Sequence, residues 1–135
     1  RKEATRLIFV MQDKLIEKEY AAAKLYFDLG TYFGTSSSSS SGNNYEACVV
    51  TAQNAISDFP YSERREDFAI LIVRAKFELA EQSVESKKVE RFQNAIDEYH
   101  GFVNEYPKSK FLPKATSLYN RAKAFLAKPQ NAAQS

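Results

Sequence analysis

The chain has 135 residues, 44% of them hydrophobic and 27% charged, with four Gly, four Pro and a net charge of +2. That length suits one domain able to bury a core, and that composition belongs to a folded protein rather than a disordered tail. It excludes an internal disulfide, since Cys48 is the only cysteine. A turn-rich β-sandwich is excluded by the scarcity of Gly and Pro, and a membrane span by the lack of any apolar run near ~20 residues. No basic cluster alternates with stacking aromatics, so no nucleic-acid partner is expected. The chain starts at Arg1 without an initiator Met, a signal segment or a cleavage site, and is expected to be a fragment or a processed product.

Taken in order, Leu7, Met11, Leu15, Ala22, Leu25, Tyr26 and Leu29 recur at helical spacing, with charges such as Arg6, Asp13 and Lys24 between them. This predicts one long amphipathic helix over residues 3–33, kinked near Tyr20 and buried along that stripe. The serine run 36–41 and the Gly and Asn after it end the helix, so residues 36–44 are expected to form a flexible Ser-rich loop. A second helix spans 45–59 and stops at Pro60, which forbids the α conformation at the residue before it. Ser62 is expected to cap a third helix reaching Gln82, with Glu63, Glu66 and Asp67 set against its dipole. A fourth helix spans 87–105 and stops at Pro107. Ser109 caps a fifth that reaches Ala127, and residues 129–135 form a frayed tail. Strand signals are absent.

The second half repeats at a fixed offset. Pro60 and Pro107 are 47 residues apart, as are Tyr45 and Phe92, Cys48 and Ala95, Ala55 and Phe102, Phe59 and Tyr106, Ser62 and Ser109, Leu71 and Leu118, and Ala75 and Ala122. A register held across two helices and a loop signals a stacked helical array. The string "YEACVVTAQNAISDFP", with Tyr45, Cys48, Ala55 and Pro60, resembles the second helix of a tetratricopeptide repeat, and "LYFDLGTYF" resembles its first, through Leu29, Gly30 and Phe33. Small residues stand there because helices cross closely, and aromatics fill the gaps beside them. The stretch from Leu29 to Tyr45 exceeds the template by six, the length of the serine run, which is read as a loop insertion. A unit of 47 also exceeds the usual ~34, so the first helix of the later repeat is extended or the loop after it is long, and "EQSVESKK", residues 81–88, is the expected place of the excess.

The implied fold is all-α, a tetratricopeptide-repeat-like right-handed solenoid of about five helices. One domain covers 1–128, with units at about 4–60, 61–107 and a partial 108–128. Leu25, Leu29, Cys48, Ala52, Ala55, Leu71, Ile72, Ala75, Ala95 and Leu118 are its expected core.

No catalytic, cofactor or metal site emerges. His100 is the only histidine, with no second ligand at metal spacing, and Cys48 has no base near it in a repeat arrangement. "GTSSSSSSG" lacks the Lys of a phosphate loop and follows no strand. Arg64 and Arg65, and Lys87 and Lys88, read as solvated charges, with an acidic partner for either pair as the alternative. What remains is surface: Val50 falls at an outward repeat position, between Glu46 and Asn54, and is either incidental or part of a partner patch.

The strings "ATRLIFVMQDKLIEKEYAAAKLYFDLGTYFG" and "NNYEACVVTAQNAISDFPYS" resemble the C-terminal half of the BamD family of outer-membrane assembly lipoproteins, over about residues 4–62. The resemblance implies a non-catalytic scaffold at the periplasmic face of the bacterial outer membrane, docking the central barrel-assembly subunit. It also implies a lipid anchor upstream of Arg1 as the sole membrane attachment. Cys48 lies mid-helix and cannot be that anchor, and Thr51 lacks the charge expected of a family contact. The alternative reading is a periplasmic or cytosolic repeat module gripping peptides or glycans. Such a clamp would need a row of cations that Asp67, Ile70 and Arg74 do not form.

Overall fold

Apolar residues at three- and four-residue spacing, broken by Pro and Ser clusters, resolve into five helices in the computed structural model, which describes residues 1–33 and 44–128. They are α1 (Lys2–Phe33), α2 (Asn44–Asp58), α3 (Arg65–Glu81), α4 (Glu85–Glu105) and α5 (Leu112–Ala127). All regular structure among the described residues is helical. The expected serine loop at 36–44, all but Asn44, and the frayed tail at 129–135 lie outside the described residues.

Connections of three to six residues between packed neighbours require α2 to α5 to run alternately up and down. Each helix packs on the next, and α1 touches α3 as α3 touches α5. The odd-numbered helices therefore lie side by side, with α2 and α4 each covering a seam between two of them. Two cores result. One joins Ile16, Ala23 and Phe27 of α1 to Tyr45, Cys48, Ala52 and Ala55 of α2 and to Phe68, Leu71, Ile72 and Ala75 of α3. The other joins Ile70, Val73, Phe77 and Ala80 of α3 to Phe92, Ala95, Tyr99 and Phe102 of α4 and to Ala115, Leu118 and Ala122 of α5. Because α3 feeds both, it is apolar around most of its circumference, as a central helix must be.

The 47-residue repeat extends to individual hydrogen bonds. Phe59 N–H donates to Ala55 C=O at 2.8 Å and Tyr106 N–H to Phe102 C=O at 2.8 Å. Ser62 and Ser109 N–H donate to the carbonyls of Phe59 and Tyr106, and Arg65 and Leu112 N–H to those of Ser62 and Ser109. The two turns thus share one backbone path, and Pro60 and Pro107 occupy equivalent places in it.

Four expectations are corrected. First, Ser62 and Ser109 are not helix caps: each hydroxyl accepts from the N–H two residues on, Arg64 and Phe111, both at 2.9 Å. That local turn delays the helices to Arg65 and Leu112. Second, the excess length of the repeat is not a loop at 81–88, because α3 and α4 are joined by only three residues. It lies in α4, which begins seven residues before Phe92, whereas α2 begins one residue before Tyr45.

Third, the buried face of α1 is not the expected stripe. Leu7, Met11, Leu15, Leu25 and Tyr26 are exposed, Leu25 by 55%, and Leu29 is only half-buried. The helix instead buries Ile16, Ala23, Phe27 and Gly30. Small residues decide this: a Cβ on Gly30 would stand 2.8 Å from the Tyr45 ring, so only this face lets α1 approach α2. The same face recurs in α3 at an offset of 50, where Val73, Phe77 and Ala80 match Ala23, Phe27 and Gly30. Fourth, Arg64, Arg65 and Lys88 are not simply solvated, as described below.

Candidate partner-binding surface

Helix α2 buries Tyr45, Cys48, Ala52 and Ala55, so residues at the intervening spacing must face outward. Glu46, Val50 and Asn54 do so, all exposed, with Val50 at 53%. The three stand one turn apart on one stripe, and Asp58 continues it to the helix end. Burial of the β-branched Val50 by a partner would be favourable, whereas its exposure here contributes nothing to the fold.

A larger apolar surface lies on α1 and was not anticipated. Leu7, Ile8, Phe9, Val10, Met11 and Leu15 are 43–62% exposed, in a stretch where no residue before Ile16 is buried. Leu7, Met11 and Leu15 of the helical stripe read from the sequence belong to this exposed stretch. At the opposite end, α5 turns Ser117, Asn120 and Ala124 outward. Those positions correspond, 47 residues on, to Ile70, Val73 and Phe77, with which α3 meets α4.

Between these surfaces Arg64 holds α1 against the first turn. Its guanidinium donates to both carboxylate oxygens of Glu17 at 2.8 Å and to Asp67 at 3.1 Å, and it lies 4.3 Å over the Tyr20 ring. The hydrogen bond from Arg64 holds the Glu17 carboxyl below the usual carboxylate range. Arg65 pairs with Glu105 at 2.5 Å. Lys88 pairs with Glu85 at 3.7 Å and lies over the Phe125 ring. Of the acidic trio expected to complement the α3 dipole, Asp67 serves Arg64, and Glu66 accepts from Ser109 Oγ, bridging the two turns. Lys88–Glu85 and Arg64–Asp67 are three-residue pairs that spacing allows, but it carries no signal for Arg64–Glu17, Arg65–Glu105 or Ser109–Glu66, because each of these joins segments far apart in the chain.

The two residues weighed for chemistry sit in contrasting settings. Cys48 is fully buried, and burial pushes its thiol up to about 12, so almost no thiolate exists at neutral pH. His100 is exposed and meets Tyr99 and Tyr119 edge-on at 5.4 and 5.3 Å between ring centroids. Among the described residues no group of three or more His, Cys, Asp or Glu is placed to hold a metal ion. No described helix is long and apolar enough to cross a membrane. No protein-family model matches the chain, and no curated protein matches it.

Proposed function

We propose that this chain is a non-catalytic scaffold built as a right-handed tetratricopeptide-like stack. Its place would be the periplasmic face of the bacterial outer membrane, in the machinery that inserts β-barrels, as its resemblance to the BamD family implies. The observation that carries the reading is the amount of apolar surface the stack leaves uncovered, along α1 and at Val50, where a self-sufficient domain would be polar. The positions that carry the repeat resemblance support it too: Gly30 touches Tyr45, and Cys48 and Ala55 are buried where helices cross. The partner is a protein, the central barrel-assembly subunit, and the stripe Glu46, Val50 and Asn54 carries part of the contact. The clamp reading gains nothing from α3, since Asp67 is paired with Arg64, Ile70 is buried and Arg74 lies 4.6 Å over the Phe27 ring. In a pull-down with that subunit, Val50→Lys is expected to weaken capture without lowering the melting temperature. Undiminished capture by the folded variant would remove α2 from the interface.

A further inference from the structure

The first half of α1 overhangs the connection from α2 to α3, because α3 has no counterpart to residues 2–14 of α1 at the offset of 50. Beneath the overhang lies a groove of about 800 Å³, with Phe9, Ile16, Phe59, Pro60 and Tyr61 forming its apolar lining. Two of these offer an open surface, Phe9 at 60% exposure and Tyr61 at 98%.

Carboxylates dominate the polar lining. Asp13, Glu17, Asp58, Glu63 and Asp67 stand around a single cation, Arg64, which Glu17 and Asp67 already engage. Asp13, Asp58 and Glu63 form no ion pair with a described residue.

The second repeat shows what the first one lacks. Glu105 is the 47-residue counterpart of Asp58, and Arg65 of α3 neutralises it at 2.5 Å. In α1 the position 50 residues before Arg65 is Leu15, so the fold supplies Asp58 with no cation of its own. Tyr61 and Glu63 correspond to Lys108 and Lys110, so at these two positions of one backbone path the first turn is aromatic and acidic and the second is basic.

We propose that this groove receives a cationic segment of a partner protein, in which a Lys or Arg meets Asp58 and Glu63 while an adjacent apolar side chain packs on Phe9 and Tyr61. Exposed ion pairs are individually weak, so the apolar contact supplies most of the affinity and the carboxylates select the sign of charge and speed the encounter. The inference rests on residues other than Val50 and stands whether or not the barrel-assembly reading holds.

The test is fluorescence anisotropy with a labelled dodecapeptide of alternating Lys and Leu, beside one with Glu in place of Lys and one with Ser in place of Leu. Only the Lys/Leu peptide is expected to bind. The double variant Asp58→Asn, Glu63→Gln should weaken it about fivefold, the contribution of two exposed ion pairs. Phe9→Ser should weaken it further, and each variant should keep the parent's circular-dichroism melt. Val50→Lys, at a residue that does not line the groove, should leave peptide binding unchanged, which separates failure of this inference from failure of the scaffold reading. Equal binding of the Glu/Leu peptide, or undiminished binding by the neutralised variant, would overturn the proposal. So would concentration-dependent self-association abolished by Lys108→Ser with Lys110→Ser, which would make a second copy of the chain the occupant.

Discussion

The contact between Gly30 and Tyr45 offers the sharpest test of how α1 meets α2. In Gly30→Ala the new Cβ would lie 2.8–2.9 Å from three atoms of the Tyr45 ring, about 0.7 Å inside the ordinary carbon–carbon contact of ~3.5 Å. The ring has little room to retreat. It is fully buried, meets Phe27 edge-on at 5.5 Å, and its hydroxyl is held by Thr31 at 3.1 Å and by the Gln82 amide at 3.2 Å. Overpacking a constrained site costs about 1–3 kcal/mol, and the upper half of that range applies here. Replacing a helical Gly by Ala returns at most about 0.5–1 kcal/mol, so the net expectation is a loss of about 1–2.5 kcal/mol. In urea unfolding followed by circular dichroism, that loss moves the midpoint down by about 0.5–1 M with an unchanged slope. Gly101→Ala is the control: it lies in α4, is exposed, and a Cβ there meets nothing within 4 Å. It should stabilise by about 0.5–1 kcal/mol. If Gly30→Ala stabilised the protein to the same degree, α1 and α2 would not touch at this point and the register of the first core would be wrong.

Other outcomes follow from the same packing. Ala55→Leu, at a position 2% exposed where α2 meets its neighbours, should destabilise by about 1–3 kcal/mol in the same urea assay. The Cys48 thiol should resist Ellman's reagent at pH 8 and react once denaturant is added. Because burial raises its folded pKa, its contribution to stability is complete below the free thiol's value near 9 and is lost as pH rises toward about 12. Burial, and then the neighbouring Glu81, raise the Glu78 carboxyl above its usual range. The folded state is therefore penalised at neutral pH, and Glu78→Gln should raise the melting temperature at pH 7, an advantage that shrinks as the parent carboxyl protonates in acid.

Much of the architecture was written locally. Pro60 and Pro107 stop the helices before them, the bounds of α1 and α2 follow from spacing to within a residue, and the 47-residue offset survives down to paired turn hydrogen bonds. Cys48, Ala52, Ala55, Leu71, Ile72, Ala75, Ala95 and Leu118 are buried as their repeat positions demand. These features are legible because proline geometry, helical period and residue size act over a few positions along the chain. The outward stripe of Glu46, Val50 and Asn54 is legible for the same reason, as the complement of a buried face.

Tertiary structure alone decided the rest. Helix α1 carries two apolar faces with the same three- and four-residue spacing, and periodicity cannot choose between them. The choice falls to the face with Ala23 and Gly30, because only there does the backbone come close enough to admit Tyr45. Arg64 reads as one more surface charge until folding brings Glu17 to it across 47 residues of chain. Asp58 and Glu105 occupy equivalent positions, yet Arg65 neutralises only the second, since the helix beside the first offers Leu15 in its place. Sequence spacing fixes where a side chain points on its own helix, but contact and charge balance depend on which helix arrives opposite, and that is a property of the packed whole.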